Sequence, residues 1–203
     1  LDVISAGTGT DKVIISGDGN QVSNVAQLGG VEVLELAGTK VTLTDAAVNL
    51  LLGDDHSLTT ITGSSDTSEV TFQVTAGATF DLTKLTFNSL KSVTFDIPAA
   101  TTGTSTVKLT AAQIGQIGEI KLDGTETITI NTTVAGLAAL GTKKPDNATV
   151  TVTDTTENLL NAGTSLSTVD VTLDSATVAQ ALSALAAGAK TVAYDLADTA
   201  DNL

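Results

Sequence analysis

The stretch VTVTDTTENLL, Val150 to Leu160, changes its hydrophobic period half-way through. Val150 and Val152 alternate with Thr151 and Thr153, the period-2 pattern of a strand with one buried face. Asp154 and Glu157 then stand three residues apart, the spacing of a capping box, and Leu159–Leu160 follow as the first apolar pair of a helix. One phrase holds a strand, a polar step and a helix start.

The phrase recurs. In VKLTAAQIGQI, Val107 to Ile117, Thr110 and Gln113 form the box. Val41 and Leu43 lead to Asp45 or Thr44 as N-cap, with Val48, Leu51 and Leu52 at helical spacing behind. Val169, Val171 and Leu173 precede Asp174 or Ser175 as a cap, and Val178, Leu182 and Leu185 follow at i, i+4 and i+7. Val192, Tyr194 and Leu196 form a last strand before Asp198 and Asp201. Val134, Leu137 and Leu140 make a short helical face of their own, and Gly141–Asn147, with Lys143-Lys144-Pro145, reads as a loop. Further strands alternate at Val70, Phe72 and Val74, and at Val93, Phe95 and Ile97, where Pro98 ends the run.

The first strand residues of the copies, Val107, Ile128, Val150, Val171 and Tyr194, are 21, 22, 21 and 23 residues apart. Val41 lies 66 residues before Val107, three steps of 22, with degenerate copies near Ile61 and Phe80. A period near 22 predicts a β-solenoid, parallel β-helix-like, with short α-helices flanking its sheet. The alternative is a β-sandwich, and the capped helices between strands count against it. The expected organisation is one continuous solenoid fragment, 1–203. It has a Gly/Asp-rich, nonapeptide-like start (1–30), strand-rich coils (31–147) and regular strand–helix repeats (148–203). Beginning at Leu1 and stopping at Asn202–Leu203 inside a recurring phrase, the chain reads as part of a longer polypeptide.

Composition narrows the function. The formal net charge is −14, and the nine basic residues are all Lys. Without Arg there is no agent for bidentate phosphate or base recognition, and the field repels a polyanion, so nucleic acid is excluded as a partner. Cys is absent, so thiolate chemistry and disulfides are too. No apolar run is long enough to span a bilayer. With four Phe, one Tyr and no Trp, buried mass must come from Val, Ile, Leu and Ala. Polysaccharide-cleaving enzymes lean on basic residues or aromatic platforms, and with no Arg, no Trp and one Tyr this chain is expected to have a non-enzymatic role.

Residues 6–14, AGTGTDKVI, match the calcium-binding nonapeptide G-G-x-G-x-D-x-U-x except that Ala6 replaces the first Gly. Gly17-Asp18-Gly19-Asn20 reads as a second, decayed copy. Asp11, Asp18 and Asn20 are the candidate ligands for Ca²⁺, the one cofactor the sequence suggests, since a hard cation takes carboxylate and carbonyl oxygens. His56, the only His, has no second His or Cys for a transition metal and reads as an exposed loop residue. Thr42/Thr44, Thr127/Thr129 and Thr151/Thr153 would make an ice-binding type of hydroxyl ladder if stacked in register. Thr on the solvent face of a strand is the simpler account.

VEVLELAGTKVTLTDAAVNLLLGDDHSLTTITGS, residues 31–64, with the nonapeptide before it and the VTVTDTTENLL phrases after it, resembles segments of RTX-type adhesins and S-layer proteins. That resemblance implies secretion, a bacterial cell-surface location and a structural or adhesive role. The expected function is a structural segment, either an S-layer lattice element or an adhesin stalk, that stacks or self-assembles with calcium as candidate cation. The expected partners are like chains or neighbouring domains of the same polypeptide, with surface polysaccharide as a further candidate. The alternative function is an extracellular adhesion module that binds a glycan or protein.

Overall fold

A computed structural model describes residues 4–5, 7–17, 20–22, 28–44, 46–47, 58–97, 104–123, 127–162, 166–167, 169–186 and 191–196. The strands of the first third are β1 (Ile4–Ser5), β2 (Lys12–Ile15), β3 (Asn20–Val22), β4 (Leu28–Gly29), β5 (Val33–Leu36) and β6 (Lys40–Leu43). There follow β7 (Thr60–Thr62), β8 (Glu69–Gln73), β9 (Thr79–Asp81), β10 (Thr86–Asn88), β11 (Leu90–Asp96) and β12 (Ser105–Lys108). Helices then enter between strands: α1 (Ala111–Gly115), β13 (Ile117–Asp123), β14 (Ile128–Thr132), α2 (Val134–Leu140) and β15 (Ala148–Asp154). The last described elements are α3 (Thr156–Ala162), β16 (Asp170–Ala176), α4 (Val178–Ala186) and β17 (Thr191–Leu196).

These strands form three main sheets, ordered β10-β7-β5-β2, β13-β11-β8-β6-β3 and β17-β16-β15-β14-β12-β9, with β1-β4 as a two-stranded piece. Every pairing among them is parallel.

This corrects the expected solenoid of one repeating 22-residue coil. The finding that overturns it is the division, among the described residues, into three parallel sheets of four, five and six strands, with the four helices α1 to α4. The β-sandwich falls as well, because its strands would pair antiparallel. Two physical reasons explain the misreading. First, tight turns divide the chain more finely than the period does. Gly38, at φ +69°, bends the chain out of β5 and into β6, which belongs to a different sheet. Between β7 and β8 the buried Ser68 hydroxyl accepts from the Ser64 N–H (2.9 Å) and donates to the Leu36 carbonyl (3.0 Å), pinning another such corner. Second, two of the three steps from Val41 to Val107 joined different sheets. Val41 lies in the five-stranded sheet, Ile61 in the four-stranded one, and Phe80 and Val107 in the six-stranded one.

Parallel register lines up the inward side chains in columns. Leu34, Ile61 and Phe87 form one, and Val41, Val70, Val93 and Ile120 another. Leu43, Phe72, Phe95 and Leu122 form a third, and Phe80, Val107, Ile130 and Val150 a fourth. All four Phe are buried to within 1%. The Phe72 and Phe95 rings stack at 5.9 Å, and Phe87 of the four-stranded sheet meets Phe72 at 6.2 Å, so these rings join two sheets. Each such ring contact adds about 0.5–1.5 kcal/mol to the burial of the rings themselves.

Candidate functional site

The Gly-rich turn leads into β2. Gly9 and Gly17 hold φ values of +133° and +87°, which only Gly adopts at low cost. The Asp11 carbonyl accepts from the N–H groups of Glu32 and Val33, each at 3.1 Å, while the Asp11 N–H donates to Glu32 Oε2 at 2.8 Å. The Oδ2 atom of Asp11 is buried and makes no hydrogen bond. Buried polar atoms of this kind are uncommon and call for an explanation. Asn20 opens β3, its Cα opposite that of Val41. Asp18 and His56 lie outside the described residues, as do Pro98, Asp198 and most of the helix expected after Asp45. The structure brings Asp11 together with Glu32, a carboxylate that the motif does not point to.

The helix starts follow a rule that the sequence phrase places correctly at α1 and misplaces by a residue or more at α3 and α4. Thr110 caps α1 with the expected box: the Gln113 N–H donates to Thr110 Oγ1 at 3.2 Å, and the Thr110 N–H donates to Gln113 Oε1 at 2.7 Å. At α3 the cap is Thr155, with the Asn158 N–H on its hydroxyl at 3.3 Å, rather than the pair Asp154/Glu157. At α4 it is Thr177, boxed with Gln180 at 2.8 and 3.3 Å, rather than Asp174 or Ser175. Thr133 caps α2 through the Gly136 N–H at 3.2 Å. Here a reciprocal side chain is impossible, because a Cβ on Gly136 would come within 1.9 Å of the Thr132 hydroxyl oxygen. That hydroxyl is buried and donates to the Leu109 carbonyl at 2.8 Å. The four threonines recur at nearly constant spacing, a signal legible in the sequence.

Relieved of capping, Asp154 ties two helices together. Its Oδ1 accepts from the Thr155 N–H (2.7 Å) and Asn158 Nδ2 (2.8 Å), and its Oδ2 accepts from the N–H of Val134 at the start of α2 (3.0 Å). Burial pushes its pKa up, but the hydrogen bonds from Asn158, Thr155 and Val134 outweigh this and hold it below the ordinary value. Gln113 does comparable work inside the core, where Nε2 donates to the carbonyls of Leu82 (2.5 Å) and Leu85 (2.7 Å). Nothing in the spacing announces that role.

The outward columns are polar. Glu69 lies between Lys91 (2.6 Å) and Lys40 (3.3 Å) across three strands. The Lys91 hydrogen bond lowers its pKa against the opposing effect of burial, and Lys40 adds to the lowering. Lys12 meets Glu35 at 2.7 Å, and Lys108 meets Asp81 at 3.4 Å. In the six-stranded sheet Thr79, Thr106, Thr129 and Thr149 align in register, and the hydroxyls of Thr129 and Thr149 are 2.8 Å apart. Thr151, however, aligns with Asn131 and Asp170, so the adjoining column is mixed in charge and size. A cleft of about 430 Å³ opens between α2 and β15, with Leu137, Leu140 and Val150 on its walls and Lys144 and Asp170 at its polar side. Lys144 Nζ already donates to the carbonyls of Ala148 (2.7 Å) and Pro145 (3.2 Å).

No helix among the described residues is long and apolar enough to cross a membrane. No family model, no curated protein and no solved structure matches this chain.

Proposed function

We propose that this chain is a structural, non-enzymatic segment of a secreted bacterial surface protein, a lattice element or adhesin stalk that self-assembles. The observation that carries this reading is the register. Strand after strand pairs in parallel, and the outward positions form rows of Thr and of alternating Lys and Glu whose polar groups largely satisfy one another. Such rows give a stiff, hydrophilic wall, and sheets built this way have edges that accept further strands. Calcium, held at the Gly-rich turn by Asp11 with Asp18 and Asn20, is the cation this reading assigns. Its support is the buried, unpartnered Oδ2 of Asp11.

The test is sedimentation of the 203-residue chain across a wide concentration range, with and without calcium, paired with calorimetric calcium titration of wild type and Asp11→Asn. Concentration-dependent association, and calcium heat that the variant loses, are the expected results. A chain that stays strictly monomeric at high concentration in both conditions sinks the assembly reading. Equal heats from wild type and variant remove calcium from this turn.

A further inference from the structure

A cleft of about 360 Å³ lies between β10 and α1, with the buried Leu85 and Phe87 as its floor and the exposed Thr83, Thr86, Asn88 and Gln116 at its mouth. Strand β10 bonds to β7 through Thr86 and Asn88. The Thr86 N–H donates to the Thr59 carbonyl at 2.7 Å, and the Asn88 carbonyl accepts from the Gly63 N–H at 3.0 Å. Successive residues of a parallel ladder turn their backbone groups to opposite sides, so Phe87 presents its N–H and C=O to the other edge. Among the described residues no strand pairs with that edge, and α1 stands in its place. Gln113 Nε2 donates to the Leu85 carbonyl (2.7 Å), and Gln116 Oε1 accepts from the Ser89 N–H (3.2 Å). The two glutamines take the edge on either side of Phe87 and leave its N–H and C=O between them, at the floor of the cleft.

Strain is stored at the same place. Ser89, at φ +54°, is the one non-glycine with a left-handed backbone among the described residues. Such a conformation costs energy and gathers where a site needs fixed geometry. Here it aims the Ser89 N–H at Gln116 and so holds that carboxamide still, with its Nε2 donors turned to no partner among the described residues. The lining also carries no charge, on a chain whose formal net is −14. A carboxylate or phosphate meets no cation there, and an ammonium meets no anion.

We infer that this cleft is a binding site for a ring of a neutral sugar. A hydroxyl both donates and accepts, so one sugar hydroxyl serves the Phe87 N–H and C=O together. Its neighbours on the ring reach the Asn88 and Gln116 amides and the Thr86 hydroxyl, and the ring's C–H face covers Leu85. A few convergent polar groups over an apolar floor, in a cleft of this size, is the usual form of a small-molecule site. An added peptide strand does not fit, because Gln113 and Gln116 already hold the edge at Leu85 and Ser89. Sugar binding goes beyond the self-assembly reading and does not depend on it.

Titration of the 203-residue chain with glucose, galactose, mannose and N-acetylglucosamine, followed through its amide chemical shifts, tests this. At least one of these sugars is expected to move the Phe87 and Ser89 N–H signals to saturation, and glucuronate to bind at least about tenfold more weakly. Asn88→Ala and Gln116→Ala should each weaken binding about three- to tenfold. Thr149→Ala, on the outer face of the six-stranded sheet, should leave it unchanged. If Gln116→Ala disturbs the Ser89 turn, Asn88→Ala decides, since no hydrogen bond of the fold rests on that side chain. Dextran, galactan and mannan separate the two sources of such a ring. Tighter binding per ring assigns the site to a polysaccharide and equal binding to a free sugar, and both sustain it. The inference is overturned if none of the neutral sugars moves Phe87 saturably, if Asn88→Ala binds as tightly as wild type, or if glucuronate binds equally well. Self-assembly stands apart from each of these outcomes.

Discussion

Asp154 accepts from two neighbouring backbone N–H groups and one amide, and it does so across a gap between helices. Because those bonds favour the carboxylate, its folded pKa lies below the unfolded value of 3.8. Its contribution is therefore fully present above 3.8 and is lost as pH falls through the lower folded value. Urea midpoints of wild type and Asp154→Asn should differ at neutral pH by the equivalent of about 1 kcal/mol. The gap should close on acidification, and a gap that stays constant with pH would refute the linkage. The sequence gives Asp154 away as a helix-start residue but not as a tie between helices. The capping-box spacing fits Asp154/Glu157 as well as Thr155/Asn158, and only the position of the Val134 N–H separates the two.

Helix α4 shows how a correct periodicity can be assigned to the wrong face. The spacing of Val178, Leu182 and Leu185 predicts a leucine stripe toward the sheet, whereas Ala181 and Ala184 are the buried residues. Those alanines let the helix backbone lie close over β16 and β17, where a larger side chain would lift it off. Ala181→Leu should therefore cost about 1–3 kcal/mol by overpacking. Leu182→Ala should change stability by no more than about 0.5 kcal/mol. Thermal melts of the two variants decide the matter, and the opposite ranking would restore the leucine face. The strand pattern was legible in the same partial way. Alternation identified the inward residues Val107, Ile128, Val150 and Val171, all of them buried. It could not place one strand against the next. Val107 pairs with Ile130 rather than Ile128, and Val171 pairs with Val192 rather than Tyr194. A two-residue slip keeps the same face inward, so hydrophobicity alone does not see it.

Across the molecule, stability should be graded. Strands β8 and β11 are paired on both sides and anchor the Phe72–Phe95 stack, while among the described strands β17 has β16 alone as partner. Amide hydrogen exchange should be slower in β8 and β11 than in the edge strands β9 and β17. Uniform protection from end to end would show that the sheets open together. The number of sheets was hidden from the sequence for a related reason. Gly38 and Ser68 make corners through a left-handed backbone and a buried hydroxyl, neither of which disturbs the hydrophobic spacing.

The rows of Lys and Glu then acquire a meaning beyond solubility. A strand that pairs two residues out of place still buries its apolar face, but it sets Lys40 beside Thr71 in place of Glu69, and Lys108 beside Thr79 or Thr83 in place of Asp81. Each exposed pair is worth only about 0–1 kcal/mol. A slip also breaks the buried contacts of Ser68 with Leu36 and of Thr132 with Leu109, and the ion pairs add to that preference for the observed register. Lys40, Glu69, Lys91, Lys108 and Asp81 act as alignment marks, letting a folding chain reject the slipped pairings that its core would accept.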